Sequence, residues 1–107
     1  MSVQFTRTED VLCALLSGEI DHHTASDMRM LIDSETERTL PRTLILDFSG
    51  VQFMDSSGIG LILGRKRYIE AMDGALFIKN TPPYVRKIIS LAGLERLILS
   101  DKVERNM

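Results

Sequence analysis

Apolar and polar positions along this chain switch repeatedly between the period of a strand and that of a helix. Val3 and Phe5, two apart and followed by Thr6-Arg7-Thr8, read as a short first strand. Glu9-Asp10 reads as a tight turn. The run Val11-Leu12-Cys13-Ala14-Leu15-Leu16 reads as a second strand that pairs back as a hairpin and is ended by Gly18. Glu19-Ile20-Asp21-His22-His23 reads as a short connection. Thr24-Ala25-Ser26-Asp27 then has the spacing of a capping box, with Asp in place of Glu or Gln. Ala25, Met28, Leu31 and Ile32 share one face of the helix that follows. That helix fades through Glu35, Glu37 and Arg38, and Pro41 forbids its continuation.

Leu44-Ile45-Leu46-Asp47-Phe48 is a nearly unbroken apolar run before Ser49-Gly50, the pattern of a strand covered on both faces. Val51 and Phe53 are expected beneath the loop that follows. Asp55-Ser56-Ser57-Gly58 signals a helix start, with the helix spanning about 57–72 and closed by Asp73-Gly74. Its apolar stretch from Ile59 is expected to enter the core through Ile62 and Leu63, leaving an exposed apolar edge or one covered by loops. Residues 75–78 read as a strand. Thr81-Pro82-Pro83 opens a last helix, with Val85, Ile88, Ile89 and Ala92 as its buried stripe and Gly93 as its C-terminal cap. Leu97-Ile98-Leu99 reads as a short strand or part of a terminal helix.

The order is β-β-α-β-α-β-α. It predicts an α/β fold with one mixed sheet and helices packed mainly on one side. The 107 residues suit a single domain over 1–107, large enough for a core without metals or disulfides. Thirteen basic against 15 acidic residues give a net charge of −2, so nucleic acid is not expected as a partner. The one cysteine, Cys13, excludes an internal disulfide and is expected to be a buried structural thiol. No stretch approaches the ~20 apolar residues that cross a bilayer, and the N-terminus lacks an apolar signal core. A cytoplasmic protein with no membrane contact is expected.

Ser56 stands where the second helix should begin. Its hydroxyl could simply accept a backbone N–H as an N-cap. It could also receive a phosphoryl group, which would face free N–H groups and the positive end of the helix dipole. Phosphate adds about −1.5 to −2 charge, and Asp55, with Asp21 or Glu19, would repel it. Helix-end electrostatics are worth only ~0.3–1 kcal/mol, so phosphate is expected to change the surface and not the fold.

Other candidates are weaker. Gly58, Gly60 and Gly64 are spaced GxGxxxG, not GxGxxG, and no P-loop motif occurs, so nucleotide binding is a minor reading. Gly60 and Gly64 lie four apart on one helix face, where close packing against a neighbour accounts for them. Adjacent His22 and His23 on a loop rarely hold one metal, and no metal site is expected; capping or loop packing suits His22 better. Glu19 and Asp21 read as capping or solvating carboxylates. No GxSxG surrounds a serine, so no nucleophilic triad is expected. Arg65-Lys66-Arg67 reads as a solvated helix face.

Two segments carry a resemblance to a known family. Gly18-Glu19-Ile20-Asp21-His22-His23-Thr24-Ala25 is similar to the G-E-(L/I)-D-H-H-T-A segment of the STAS-domain anti-sigma factor antagonists, most closely the sporulation-type antagonists of anti-sigma F factors. Phe53-Met54-Asp55-Ser56-Ser57-Gly58-Ile59-Gly60 is similar to their F-M-D-S-S-G-(L/I)-G. Ile62-Leu63-Gly64-Arg65 and Leu91-Ala92-Gly93-Leu94 also fit, and the resemblance runs over about 3–99.

The resemblance implies a switch and not an enzyme, with no cofactor. The unphosphorylated antagonist binds an anti-sigma factor that is also a serine kinase, and so frees a sigma factor. The kinase phosphorylates the serine after the motif aspartate, here Ser56, and a metal-dependent serine phosphatase reverses the step. Asp21, Asp55, Ser57, Gly58 and Ile59 are then the expected partner-binding residues, with Ser57 in the first helical turn. Gly58 would let the partner approach the backbone, and Ile59 would supply apolar area. The resemblance further implies a C-terminal helix, expected to be short here. A monomer is the simplest expectation. The other function classes are a STAS module of a different signalling or transport-regulating complex, and a small nucleotide-binding module.

Overall fold

The computed structural model describes residues 1–99. Its elements are β1 (Ser2–Thr8), β2 (Val11–Ile20), α1 (His22–Thr39), β3 (Thr43–Met54), α2 (Ser57–Ala71), β4 (Ala75–Lys79) and α3 (Pro83–Leu91), followed by a short 3-10 turn over Glu95–Leu97. The predicted order therefore holds. The sheet has four strands in the order β1-β2-β3-β4, antiparallel between β1 and β2 and parallel thereafter.

Two parallel crossovers of the same hand, both stepping in one direction along the sheet, put their helices on one face. Burial shows which face. In-register rows Leu12–Leu44–Leu76 and Ala14–Leu46–Ile78 are buried, together with Leu16 and Phe48. Met28 and Ile32 of α1, Ile62 and Ile69 of α2, and Val85 and Ile89 of α3 are buried in the same core. The opposite row, Cys13–Ile45–Phe77, is only half-buried. The strand at 44–48 is thus covered on one face, not both, and Cys13 lies on the open face instead of in the core. Burial still pushes the Cys13 thiol up.

Both central strands run past their expected ends. Gly18, at φ +94°, and register shifts between Leu15 and Ser17 and between Gly18 and Glu19 absorb the irregularity in β2. Opposite, a Cβ on Gly50 would lie 2.5 Å from Ser17 Oγ, so only glycine lets the strands close there. Ser49-Gly50 is therefore strand, not turn. In β3, Val51 and Met54 are buried, whereas Phe53, expected beneath a loop, is 49% exposed.

Helix faces differ from expectation in detail. Leu31 and Leu63 are exposed, and Thr36 and Thr39 complete the buried stripe of α1. Ala92 is exposed. Gly93, at φ +79°, closes α3 as expected. Tyr84 donates its hydroxyl to the Val51 carbonyl at 2.6 Å, tying α3 to β3. Ile98 forms a parallel bridge with Ile78, so the last described residues begin to extend the sheet. The expected C-terminal helix falls outside the described residues. Among the described residues no helix is long and apolar enough to cross a membrane.

Candidate functional site

The site grows from the ends of two parallel strands. Ile20 and Met54, the last residues of β2 and β3, are paired. One step on, the Asp55 N–H donates to the Ile20 carbonyl at 3.1 Å. Both chains turn into helices there, so α1 and α2 begin side by side at the same edge of the sheet.

At α1 the cap is Asp21, three residues before the expected box. Its Oδ1 accepts the N–H groups of His23 and Thr24, each at 3.0 Å, and the Asp21 N–H donates to Thr24 Oγ1 at 2.9 Å. The Thr24 hydroxyl in turn donates to the Glu19 carbonyl at 2.8 Å. Asp21-x-x-Thr24 is thus the reciprocal box, and Thr24-x-x-Asp27 is not. The Thr24 and His23 amides hold the Asp21 carboxyl below its ordinary range. His22 and His23 occupy the first turn of α1, not a loop, and their rings lie tilted by 36° with centroids 4.0 Å apart.

At α2 the aspartate again does the capping. Asp55 Oδ1 accepts the Ser57 N–H at 2.8 Å, and the Asp55 carbonyl accepts the Gly58 N–H at 3.0 Å. Ser56 already has helical angles, φ −63° and ψ −14°, and its side chain makes no capping bond. The expectation that a serine hydroxyl caps this helix is therefore corrected. The carboxylate one residue earlier takes that role, and the exposed Ser56 hydroxyl is left free.

The other expected partner-binding residues separate into two groups. Asp21, Asp55 and Ser57 are half-buried around the two helix starts, and Ile59 is half-buried against the core. Gly58 is placed differently. It is buried, and a Cβ there would sit 2.3 Å from Met54 Sδ, so its missing side chain serves internal packing.

Between α1 and α2 runs an open groove of about 300 Å³. Ser57, Gly60 and Gly64 line it from α2, and Ala25, Ser26 and Arg29 from α1. A Cβ on Gly60 or Gly64 would meet no atom within 4 Å, so the expected close packing against a neighbour is absent. Arg65, read in the sequence as part of a solvated cluster, is buried at the groove's floor. Its Nε lies 2.7 Å from Asp33 Oδ1 on α1, off the axis of an aligned hydrogen bond. Burial raises the Asp33 carboxyl and lowers the Arg65 guanidinium, each opposed by the other's charge. Sequence reasoning missed this pair because its members are 32 residues apart on different helices. Among the described residues no cluster of three His, Cys, Asp or Glu side chains could hold a metal ion.

The STAS domain family model matches residues 2–107. An anti-sigma F factor antagonist from Paenibacillus polymyxa is 34% identical over 98 residues, covering 92% of this chain and 84% of that protein. The structure of the anti-sigma factor antagonist SpoIIAA in its unphosphorylated form superposes with a TM-score of 0.81 at 32% identity, covering 98% of this chain and 94% of that one. The Bacillus cell fate determinant SpoIIAA in its phosphorylated form superposes with a TM-score of 0.74 at 32% identity, covering 99% of this chain and 100% of that one.

Proposed function

The chain belongs to the STAS domain family, and we propose that it acts there as an anti-sigma factor antagonist switched by phosphorylation of Ser56. The observation that carries this reading is the free Ser56 hydroxyl. It is exposed, fixed by the first turn of α2, and relieved of capping by Asp55. Its modification therefore breaks no hydrogen bond of the cap. The similarity to an antagonist solved in both unphosphorylated and phosphorylated forms supports the same reading.

In this account the unphosphorylated protein binds an anti-sigma factor that is also a serine kinase, and a sigma factor is released. The kinase then transfers the γ-phosphoryl of ATP to Ser56. The Oγ–P bond forms, the bond to the β-phosphate breaks, ADP leaves, and the hydroxyl proton passes to a base on the kinase. The new group brings about −1.5 to −2 charge to a rim that already holds the carboxylates of Asp55 and Asp21. In a contact surface that includes Ile59, such charge costs desolvation and repels, and the complex separates. A metal-dependent phosphatase hydrolyses the phosphate and restores binding.

The chain is the substrate of these enzymes and a regulator, not a catalyst, and it needs no cofactor. It acts as one cytoplasmic domain, with sporulation as the matching process. The test is calorimetric titration of the cognate anti-sigma factor with wild type, Ser56→Ala and Ser56→Asp. Ser56→Ala should bind like wild type and Ser56→Asp at least roughly tenfold more weakly. Equal binding by both variants would remove the switch.

A further inference from the structure

We propose that the groove between α1 and α2 receives an acidic side chain of the anti-sigma partner and so helps decide which partner the chain accepts, an inference that rests on the function just proposed.

Three observations converge on it. The first is space left without an internal use. Gly60 and Gly64 stand in the interior of α2, where glycine weakens a helix relative to alanine, yet no neighbouring atom needs their side chains absent. Ala25 and Ser26 face them from α1. All four positions are small, so another chain can lie close against both helices.

The second is charge. The groove carries Arg29 and Arg65 and is lined by no carboxylate, on a chain whose net charge is −2. Asp33 pairs with Arg65 just outside the lining, and Glu37, one turn further along α1, accepts the Tyr68 hydroxyl at 2.6 Å. Arg29 is close enough to disfavour the charge on Arg65.

The third is an unfinished hydrogen-bond set. Side-chain exposure at Arg65 is only 8%, yet its Nε finds no aligned acceptor, and its guanidinium donates no hydrogen bond among the described residues. A guanidinium carries donors in a fixed fork that matches a carboxylate. With Asp33 beside Nε, the remaining donors of the fork can take a second anion from outside.

The groove is also continuous with the switch, since Ser57 lines it directly after Ser56. A partner segment contacting Ser56 could therefore reach Arg29 and Arg65 along α2. A carboxylate suits the site because the groove's lining holds Arg29 and Arg65 and no acidic side chain.

The test is titration of the cognate anti-sigma factor with unphosphorylated wild type, Arg29→Glu, Arg29→Lys and Gly60→Leu, with Arg67→Glu as a control on exposed surface outside the groove. Thermal melts confirm that each variant folds. Arg29→Glu should lose roughly tenfold or more in affinity, Arg29→Lys should keep most of it, and Gly60→Leu should weaken binding by filling the groove. Changing one partner Asp or Glu to Lys should restore binding to Arg29→Glu. Folded Arg29→Glu binding within about twofold of wild type would overturn the proposal, as would an equal loss in Arg67→Glu. Failure of wild type itself to bind would instead overturn the proposed function, and this inference with it.

Discussion

The backbone N–H of Asp55 donates to the carbonyl of Ile20 across 3.1 Å, just past the last paired residues of β2 and β3. This bond holds two helix starts together. On one side Asp21 caps α1 through a reciprocal box with Thr24, and on the other the Asp55 carboxylate accepts the Ser57 N–H at the start of α2. Ser56 is left between them with no structural duty for its hydroxyl.

That division of labour can be measured by stability alone. Asp55→Ala removes the acceptor for the Ser57 N–H and should cost about 1 kcal/mol. In a domain of this size that lowers the melting temperature by roughly 4–8 °C. Ser56→Ala removes no bond and should melt within about a degree of wild type. A large loss on Ser56→Ala would mean that the serine, not the aspartate, holds the helix end.

The glycines of α2 separate by the same kind of comparison. Gly58→Ala drives a methyl group into Met54 and should destabilise by roughly 1–3 kcal/mol, with Met54→Ala relieving part of the clash. Gly60→Ala meets open space and should stabilise by about 0.5–1 kcal/mol through helix propensity. Chemical denaturation of the single variants and of the Gly58→Ala, Met54→Ala double variant checks both signs.

The element order was legible because the apolar period switches cleanly, as in Leu44-Ile45-Leu46 against Val85, Ile88 and Ile89. Element ends were not. Ser17-Gly18 and Ser49-Gly50 carry the chemistry of turns, yet opposed across a bulge they let β2 and β3 continue to Ile20 and Met54. With β2 reaching Ile20, the first helix must start at once, which makes Asp21 its cap instead of Thr24. Two Asp/Thr boxes overlap in this stretch, and only strand pairing decides between them. Arg65 illustrates the same limit. Its neighbours Lys66 and Arg67 suggest solvent, but the partner that permits its burial is Asp33, on another helix. The motif residues themselves were legible, whereas the work of Gly58 depends on Met54 lying beneath it.

The contact between the distal turns of α1 and α2 should show in alkaline titration. Tyr68 donates to Glu37 at 2.6 Å, which pushes its phenol up to about 12. Because the folded value exceeds the unfolded value of about 10, the contact stabilises the fold fully below pH ~10. That contribution is lost as pH rises through the folded value of about 12. Tyrosinate absorbance should therefore show Tyr68 ionising late, and Glu37→Gln should bring its titration back toward about 10. An unchanged titration in that variant would exclude the hydrogen bond as the cause.

The central claim is that one free hydroxyl, Ser56, is the switch. The most direct measurement incubates wild type, Ser56→Ala and Ser57→Ala with the cognate anti-sigma factor and ATP. Intact masses and peptide maps are then recorded, and the wild-type phosphoform is rebound to the kinase. The account predicts one phosphate on wild type and on Ser57→Ala, located at Ser56, none on Ser56→Ala, and weakened binding by the phosphoform. A phosphate on Ser57, labelling of Ser56→Ala, or undiminished binding by the phosphoform would contradict it.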